Sequence, residues 1–391
     1  MFDFNSIRID CRAYCLITGL VALSLVSAVV ALNYIVDPYL IHQWDTKLIN
    51  RISPRNQKIT PWAKTYAAYR YQPDVVYLGS SRTEIGLPPQ TQLFENNRVL
   101  NLSLSGGTPG DAIDILYHSS NFHRPQIVVW GLEYGWLFAD AFGNTDFDRS
   151  LVARNSWYPL WRFLLNIKRC LSMNMVKDTF KILTGTADRD CPSILATYGQ
   201  ESELCVARNM HVEGNTAQAF AKAIRNDSHA FTPGFAVVMG QIDRATEDLC
   251  NYGTTLRIFI QPNHALSELQ FLPHWKDREN WERALVKVTD KRREQGCNIR
   301  LIDFSGFNSI TTEEIPQKTG KETMQYYWEQ SHYRSAVGKR ILEKLFTLGP
   351  QSEPDDFGVE LNGEVIERHL ENVRTSRDLY LKSHPDETKH F

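Results

Sequence analysis

The 391-residue chain carries 43 Lys and Arg against 45 Asp and Glu, a formal net charge of -2. That balance gives no electrostatic reason to expect nucleic acid as a partner. Aromatic residues at 11% and charged residues at 23% instead suit a sizeable packed core, as one large domain or one domain with an insertion and tails.

Residues 13–36, AYCLITGLVALSLVSAVVALNYIV, contain no charged side chain. At about 1.5 Å per helical residue they can cross a hydrocarbon core of about 30 Å. Arg8 and Arg12 precede this stretch and Asp37 follows it. The positive-inside rule then leaves residues 1–12 in the cytoplasm and the bulk outside, anchored by one span in the inner (cytoplasmic) membrane. A cleaved signal peptide is the rival reading, although its apolar region normally runs only ~7–15 residues.

Residues 37–72 read as a polar connector. From Pro73 a rhythm of short apolar runs begins, at 74–79 (DVVYLG), 98–104 (RVLNLSL), 126–132 (QIVVWGL), 254–260 (TTLRIFI) and 298–304 (NIRLIDF). Nearly continuous runs rich in Val, Ile and Leu are expected of strands buried on both faces. Helical patterns at 112–121, 276–295 and 334–347 alternate with them, so a parallel sheet covered on both sides is expected. The interval 133–253 breaks the rhythm. It reads as an insertion or cap over the sheet's carboxyl edge, or as extra helices packed on its rim. Its early aromatic residues suit sugar stacking or core packing. Residues 350–391 read as a charged tail, with an exposed helix near 359–382 and disorder beyond.

Seven cysteines are present, and their spacings match no metal site. Cys11 and Cys15 sit at or in the span. In an oxidising compartment the other five allow one or two disulfides with a thiol left over. Small buried apolar side chains are the alternative. No metal and no cofactor is expected.

In an open parallel sheet, sites form outside the carboxyl ends of the strands. Gly79, Ser80, Ser81 and Arg82 follow the first run. Ser103, Ser105, Gly106 and Gly107 follow the second, and Glu133 the third. His264 follows the fourth, where it suits substrate contact or a plain loop. Near the chain's end Glu329 stands three residues before His332. These residues supply a hydroxyl nucleophile, an imidazole base, a carboxylate to orient it, and glycines that let backbone N–H groups approach an oxyanion.

LGSSR resembles the first block of the SGNH (GDSL-like) hydrolases, with Gly79-Ser80-Ser81 in place of Gly-Asp-Ser. NLSLSGG resembles the second block, and YYWEQSHY the last, Asp-x-x-His, with Glu329 for the aspartate. The resemblance covers roughly 73–132 and 254–347. It implies a three-layer α/β/α sandwich, flavodoxin-like, with about five parallel strands within 73–349. It also implies Ser81 as nucleophile, His332 as base, Glu329 as orienting acid, and the N–H groups of Ser81 and Gly106, or alternatively Gly107, as oxyanion donors. An N-terminal anchor before such a domain is similar to envelope proteins of this family. Some of these take part in O-acetylating alginate and other exopolysaccharides, or in D-alanylating teichoic acids. The implied activity is that of an extracytoplasmic esterase or O-acyltransferase acting on cell-surface polysaccharide, with an acyl donor and envelope proteins as partners.

One departure matters. The family's third block supplies an asparagine donor, whereas Leu132 and Glu133 follow VVWG here. An ionised carboxylate cannot donate a hydrogen bond. Arg82 is therefore expected to pair with Glu133, or alternatively to supply positive charge to the acyl oxygen, and Ser80 to bond turn amides. The alternative is a non-catalytic envelope protein that keeps the fold and binds a glycan or an assembly partner.

Overall fold

The computed structural model describes residues 11–42, 47–56, 58–137, 147–213, 235–315, 324–347 and 356–388. Arg8, Phe138 and Phe142 of the early aromatic residues, and residues 214–234 lie outside them. The chain divides into two compact units. Met1–Lys58 with Arg154–Ser193 form one, and Ile59–Ala153 with Ile194–Phe391 the other.

The second unit is mixed α/β, built on a six-stranded sheet of order β2-β1-β3-β4-β5-β6. The strands are β1 (Val75–Leu78), β2 (Val99–Asn101), β3 (Ile127–Leu132), β4 (Thr255–Ile260), β5 (Ile299–Asp303) and β6 (Val359–Glu360). The first five pair in parallel, and β6 pairs antiparallel to β5. Each parallel strand coincides with one of the five apolar runs. Alternate strand residues feed different clusters, as the two-residue side-chain period requires. Val76, Leu78, Val128, Trp130, Ile258 and Leu301 join one cluster. Val75, Tyr77, Val129, Phe259 and Ile302 join the other. Helices Pro109–Ser120 and Trp275–Glu294 pack in the first, and helix Ser335–Phe346 in the second.

Three boundaries differ from expectation. The connector ends early: helix Thr60–Tyr71 belongs to the sheet unit and buries Ala67 and Ala68 in its first cluster. The interval 133–253 is not one insertion, because Arg154–Ser193 folds with the N-terminal unit. Helix Phe235–Asn251 packs Val238, Ile242 and Leu249 into the sheet's first cluster instead of standing over the strand ends. The charged tail is ordered from 356 to 388. It contributes β6 and the expected helix, at Ile366–Ser383, which is not exposed all round but buries Ile366, Leu370 and Val373. These three side chains recur at helical spacing on one face, and burying each is worth roughly 1.5–3 kcal/mol. The surrounding charges mask that face in composition.

A disulfide joins Cys250, at the end of helix Phe235–Asn251, to Cys297, just ahead of β5. Crosslinks closing loops of this size contribute about 2–4 kcal/mol.

The N-terminal unit is built around helix Cys11–Val36, long and apolar enough to cross a membrane. It is exposed from Cys11 to Val29, and burial begins only in its last two turns, at Asn33 and Val36. There Asn33 Nδ2 donates to the Cys170 carbonyl at 2.7 Å, and Val36 packs with Ile49, Ile182 and Ala187. The Cys170 thiol is in no disulfide, lies 4.0 Å from His42 Nε2 and is buried, and that burial, with Asp37 nearby, pushes its pKa up to about 11.

Candidate active site

Fully buried β1 ends at Gly79, whose φ of 154° and contact with Thr83 exclude a Cβ. The chain turns there into helix Ser81–Gly86. Ser80 caps that helix, its hydroxyl accepting from the Arg82 N–H at 3.4 Å, so it bonds a turn amide as expected. Ser81 is thereby fixed at the carboxyl end of the central strands.

The other half of the site comes from a loop between Tyr327 and Tyr333, which are paired by an antiparallel bridge. Glu329 Oε1 accepts from the His332 backbone N–H at 2.7 Å and from the Ser331 hydroxyl at 2.8 Å. It also lies 2.5 Å from His332 Nδ1. On the far side of the ring, His332 Nε2 lies 2.7 Å from Ser81 Oγ. Hydroxyl, imidazole and carboxylate thus form one continuous chain, although Ser81 and His332 are 251 residues apart. Burial alone would raise the Glu329 pKa. The His332 ring and the hydrogen bonds from His332 and Ser331 outweigh it and hold the carboxyl at about 2. An ionised Glu329 favours a proton on Nδ1, which leaves Nε2 free to accept from Ser81.

The glycine loop resolves its own ambiguity. Gly107 N–H donates to the Leu104 carbonyl at 2.8 Å and is thus already engaged within the loop. Gly106, at φ 65°, has an N–H with no acceptor among the described residues and lines the cleft beside Ser81.

Arg82 pairs with Glu133, as their places beyond adjacent strand ends predict, and its Nε–H donates to the Ser331 carbonyl at 3.1 Å. The guanidinium therefore ties the ends of β1 and β3 to the histidine loop. Desolvation lowers the Arg82 pKa from its ordinary value, with Glu329 opposing the shift. Glu133 is 5% exposed, and its second oxygen, Oε1, has no hydrogen-bond partner.

His264 does not line the cleft, contrary to expectation. It is fully buried and caps the helix Ala265–Leu269, with Nδ1 accepting from the Leu266 N–H at 3.3 Å. Its Nε2 meets the Glu313 carbonyl at 2.8 Å, and desolvation pushes its pKa down to about 4, so the ring is neutral. Its role near the site is indirect: its backbone N–H donates to the Gln330 carbonyl at 3.0 Å, inside the histidine loop.

Sequence reasoning missed the supports beneath these groups. Lys64, fully buried, bridges Glu84 at 2.8 Å and the Ser103 carbonyl, while the Ser105 hydroxyl donates to Glu84. The glycine loop is thereby held against the helix that carries Ser81. Gln261 donates to Thr83 Oγ1 at 2.6 Å and accepts from the Tyr333 hydroxyl at 3.0 Å, linking that helix to the residue after His332. Only Glu84, three residues after Ser81, offered a local signal.

The cleft measures about 340 Å³ and is lined by Ser81, Gly106, Glu133, Gln270, Phe271 and Gln330, among others. Gln270 Nε2 and Gln330 Oε1, like Glu133 Oε1, are buried without a hydrogen-bond partner. Such atoms are costly unless a ligand or water meets them.

A second carboxylate cluster lies elsewhere in the unit. Glu282, Asp303 and His369 bring ligand atoms within 4.8 Å of one another. Arg278 sits 2.7 Å from Glu282 and 3.1 Å from Glu268, so this group already contains its own cation. It reads as a buried ion-pair network that fixes helix Ile366–Ser383 to β5.

No protein-family model matches the chain, and no curated protein matches it either.

Proposed function

We propose that this protein is a serine esterase or O-acyltransferase of SGNH type, acting on acyl esters of cell-surface polysaccharide. The observation that carries the proposal is the unbroken Ser81–His332–Glu329 chain, with its serine end open to a cleft. The strand order, with two clusters fed by alternate strand residues, supports the three-layer α/β/α reading.

In this mechanism Ser81 Oγ attacks the acyl carbonyl carbon as His332 Nε2 takes its proton. The backbone N–H groups of Ser81 and Gly106 hold the oxyanion. Collapse breaks the ester C–O bond, and the leaving alkoxide takes the proton back from His332. Water, or a sugar hydroxyl, then gives its proton to His332 and attacks the acyl-Ser81 carbonyl; collapse breaks the acyl–Oγ bond, Ser81 Oγ takes the proton back from His332, and the acid or the new ester leaves. Gln270 Nε2 is an available donor lining the same cleft. With Gln330 Oε1 and Glu133 Oε1 it gives the cleft donors and acceptors suited to a hydroxyl-bearing acceptor.

The apolar helix supports a single-pass anchor in the cytoplasmic membrane, and the Cys250–Cys297 disulfide supports an extracytoplasmic catalytic domain. One observation favours the non-catalytic alternative: the acidic Glu133 occupies the place of the missing donor, paired to Arg82. Acetate release from an acetylated surface glycan, or acetyl transfer to it, separates the readings. Activity in the wild type that Ser81→Ala abolishes supports the enzyme. Equal behaviour of the two folded proteins contradicts it.

A further inference from the structure

Helix Tyr158–Cys170, in the N-terminal unit, is amphipathic in the inverse sense. Its inward stripe, at successive four-residue steps, is Tyr158, Arg162, Asn166 and Cys170, all buried. Arg162 Nε donates to Asn166 Oδ1 at 3.2 Å along that stripe. The outward face carries Leu160 and Trp161, 54% and 51% exposed, and Leu164, 52% exposed. Trp157, just ahead of the helix, is 70% exposed. A helix on a water-facing surface shows the opposite pattern.

Two further observations specify what covers this face. The first is position. The helix ends at Cys170, whose carbonyl is bonded by Asn33, and the following helix Met173–Leu183 packs Ile182 on Val36. Asn33 and Val36 stand in the last turns of the apolar helix Cys11–Val36, so both elements are pinned where that helix would leave a bilayer. The second is charge. From 154 to 183 the basic residues outside the buried stripe are Arg154, Lys168, Arg169, Lys177 and Lys181, and Asp178 is the lone acid. Tryptophans beside an apolar face flanked by lysines and arginines match the boundary of an anionic bilayer.

We infer that the outward face of helix Tyr158–Cys170 lies on the membrane surface, seated among anionic phospholipid headgroups. This rests on the reading of Cys11–Val36 as a membrane span. It is independent of the chemistry at Ser81.

The test uses the full chain in vesicles of phosphatidylcholine with phosphatidylglycerol. A photoreactive phenylalanine analogue is placed at Trp161, at Leu164 or, as control, at Leu379, which is 60% exposed in the other unit. Mass spectrometry after irradiation should find phospholipid adducts at 161 and 164 several-fold above those at 379. The yield should fall when phosphatidylglycerol is omitted. Chain-to-chain adducts alone, no adduct, or equal lipid adducts at all three positions would overturn the inference. Alkaline carbonate extraction of the same vesicles reads the span separately: release of the chain from the lipid defeats that reading, whatever the adduct pattern.

Discussion

Among the carboxylate–imidazole pairs of the sheet unit, two have almost equal geometry and opposite surroundings. Glu329 lies 2.5 Å from His332, and Asp303 lies 2.7 Å from His369. Beyond the first imidazole comes the Ser81 hydroxyl, then a cleft. Around the second come Arg278 and Glu282, and the serine there, Ser305, bonds Asp303 and not the ring. His332 has a side chain 23% exposed, against 7% for His369. A carboxylate-oriented histidine becomes a candidate base only when its other nitrogen meets a hydroxyl that substrate can reach. Sealed, the same pair joins a helix to a strand.

The largest effect that could break this contrast is on activity. Ser81→Ala and His332→Ala should each cost about 10⁴-fold or more in esterase turnover, as for other serine triads. The thermal midpoint should scarcely move, because both side chains stand at the cleft. Glu329→Gln should cost about 10²–10⁴-fold, because an amide no longer fixes the tautomer as the carboxylate does. A Glu329→Gln enzyme of full activity would remove the orienting role.

At the sealed pair the effect should fall on stability instead. His369→Ala leaves Asp303 buried without its partner, and breaking such pairs costs about 3–5 kcal/mol. Denaturant unfolding should show that loss, with activity per folded molecule unchanged. Hydrogen exchange should place the loosening in helix Ile366–Ser383.

A smaller effect is the pH profile of stability. Burial raises the Asp303 pKa, but the hydrogen bond and charge of His369 outweigh it and hold the carboxyl at about 2. Its contribution is therefore present above the ordinary carboxylate range and is lost as pH falls through about 2. Burial lowers the His369 pKa, and Asp303 outweighs that, so the net shift is upward. Its contribution is complete below the ordinary imidazole value of about 6.5 and is lost as pH rises through the raised value. Glu282, pushed up to about 7 by burial against the pull of Arg278, weakens the fold as pH rises from the ordinary carboxylate range to about 7. The unfolding free energy should thus be greatest just above the ordinary carboxylate range, at about pH 4–5, fall gently towards pH 7 with Glu282, and fall further as His369 loses its proton. His369→Gln should flatten the alkaline side. An unchanged alkaline limb in that variant would contradict the assignment.

The smallest expected effect is at Gln270. Gln270→Ala should lower turnover about tenfold, less than the loss of a dedicated oxyanion donor, and should leave stability unaltered. Steady-state kinetics with an acetyl ester measures it.

How legible each region was follows from its physics. The five parallel strands announced themselves because strands buried on both faces must be apolar throughout. Glu329 and His332 were visible because three residues separate them, and Ser81 because it follows a strand that ends in glycine. The sealed pair was invisible, since Asp303 and His369 are 66 residues apart and share no local pattern. Gly106 and Gly107 were indistinguishable as letters, and only the backbone bond from Gly107 to Leu104 separates them. Lys64 read as one more polar residue of a connector, yet it is buried beneath the glycine loop. His264 shows the opposite error, because a position after a strand does not say which way a ring turns.

The most direct test of the central claim is reaction of the folded full chain with a fluorophosphonate, followed by peptide mapping. Stoichiometric modification at Ser81, lost in His332→Ala, is the predicted result. No adduct on the folded protein, or an adduct at another serine, would contradict the account.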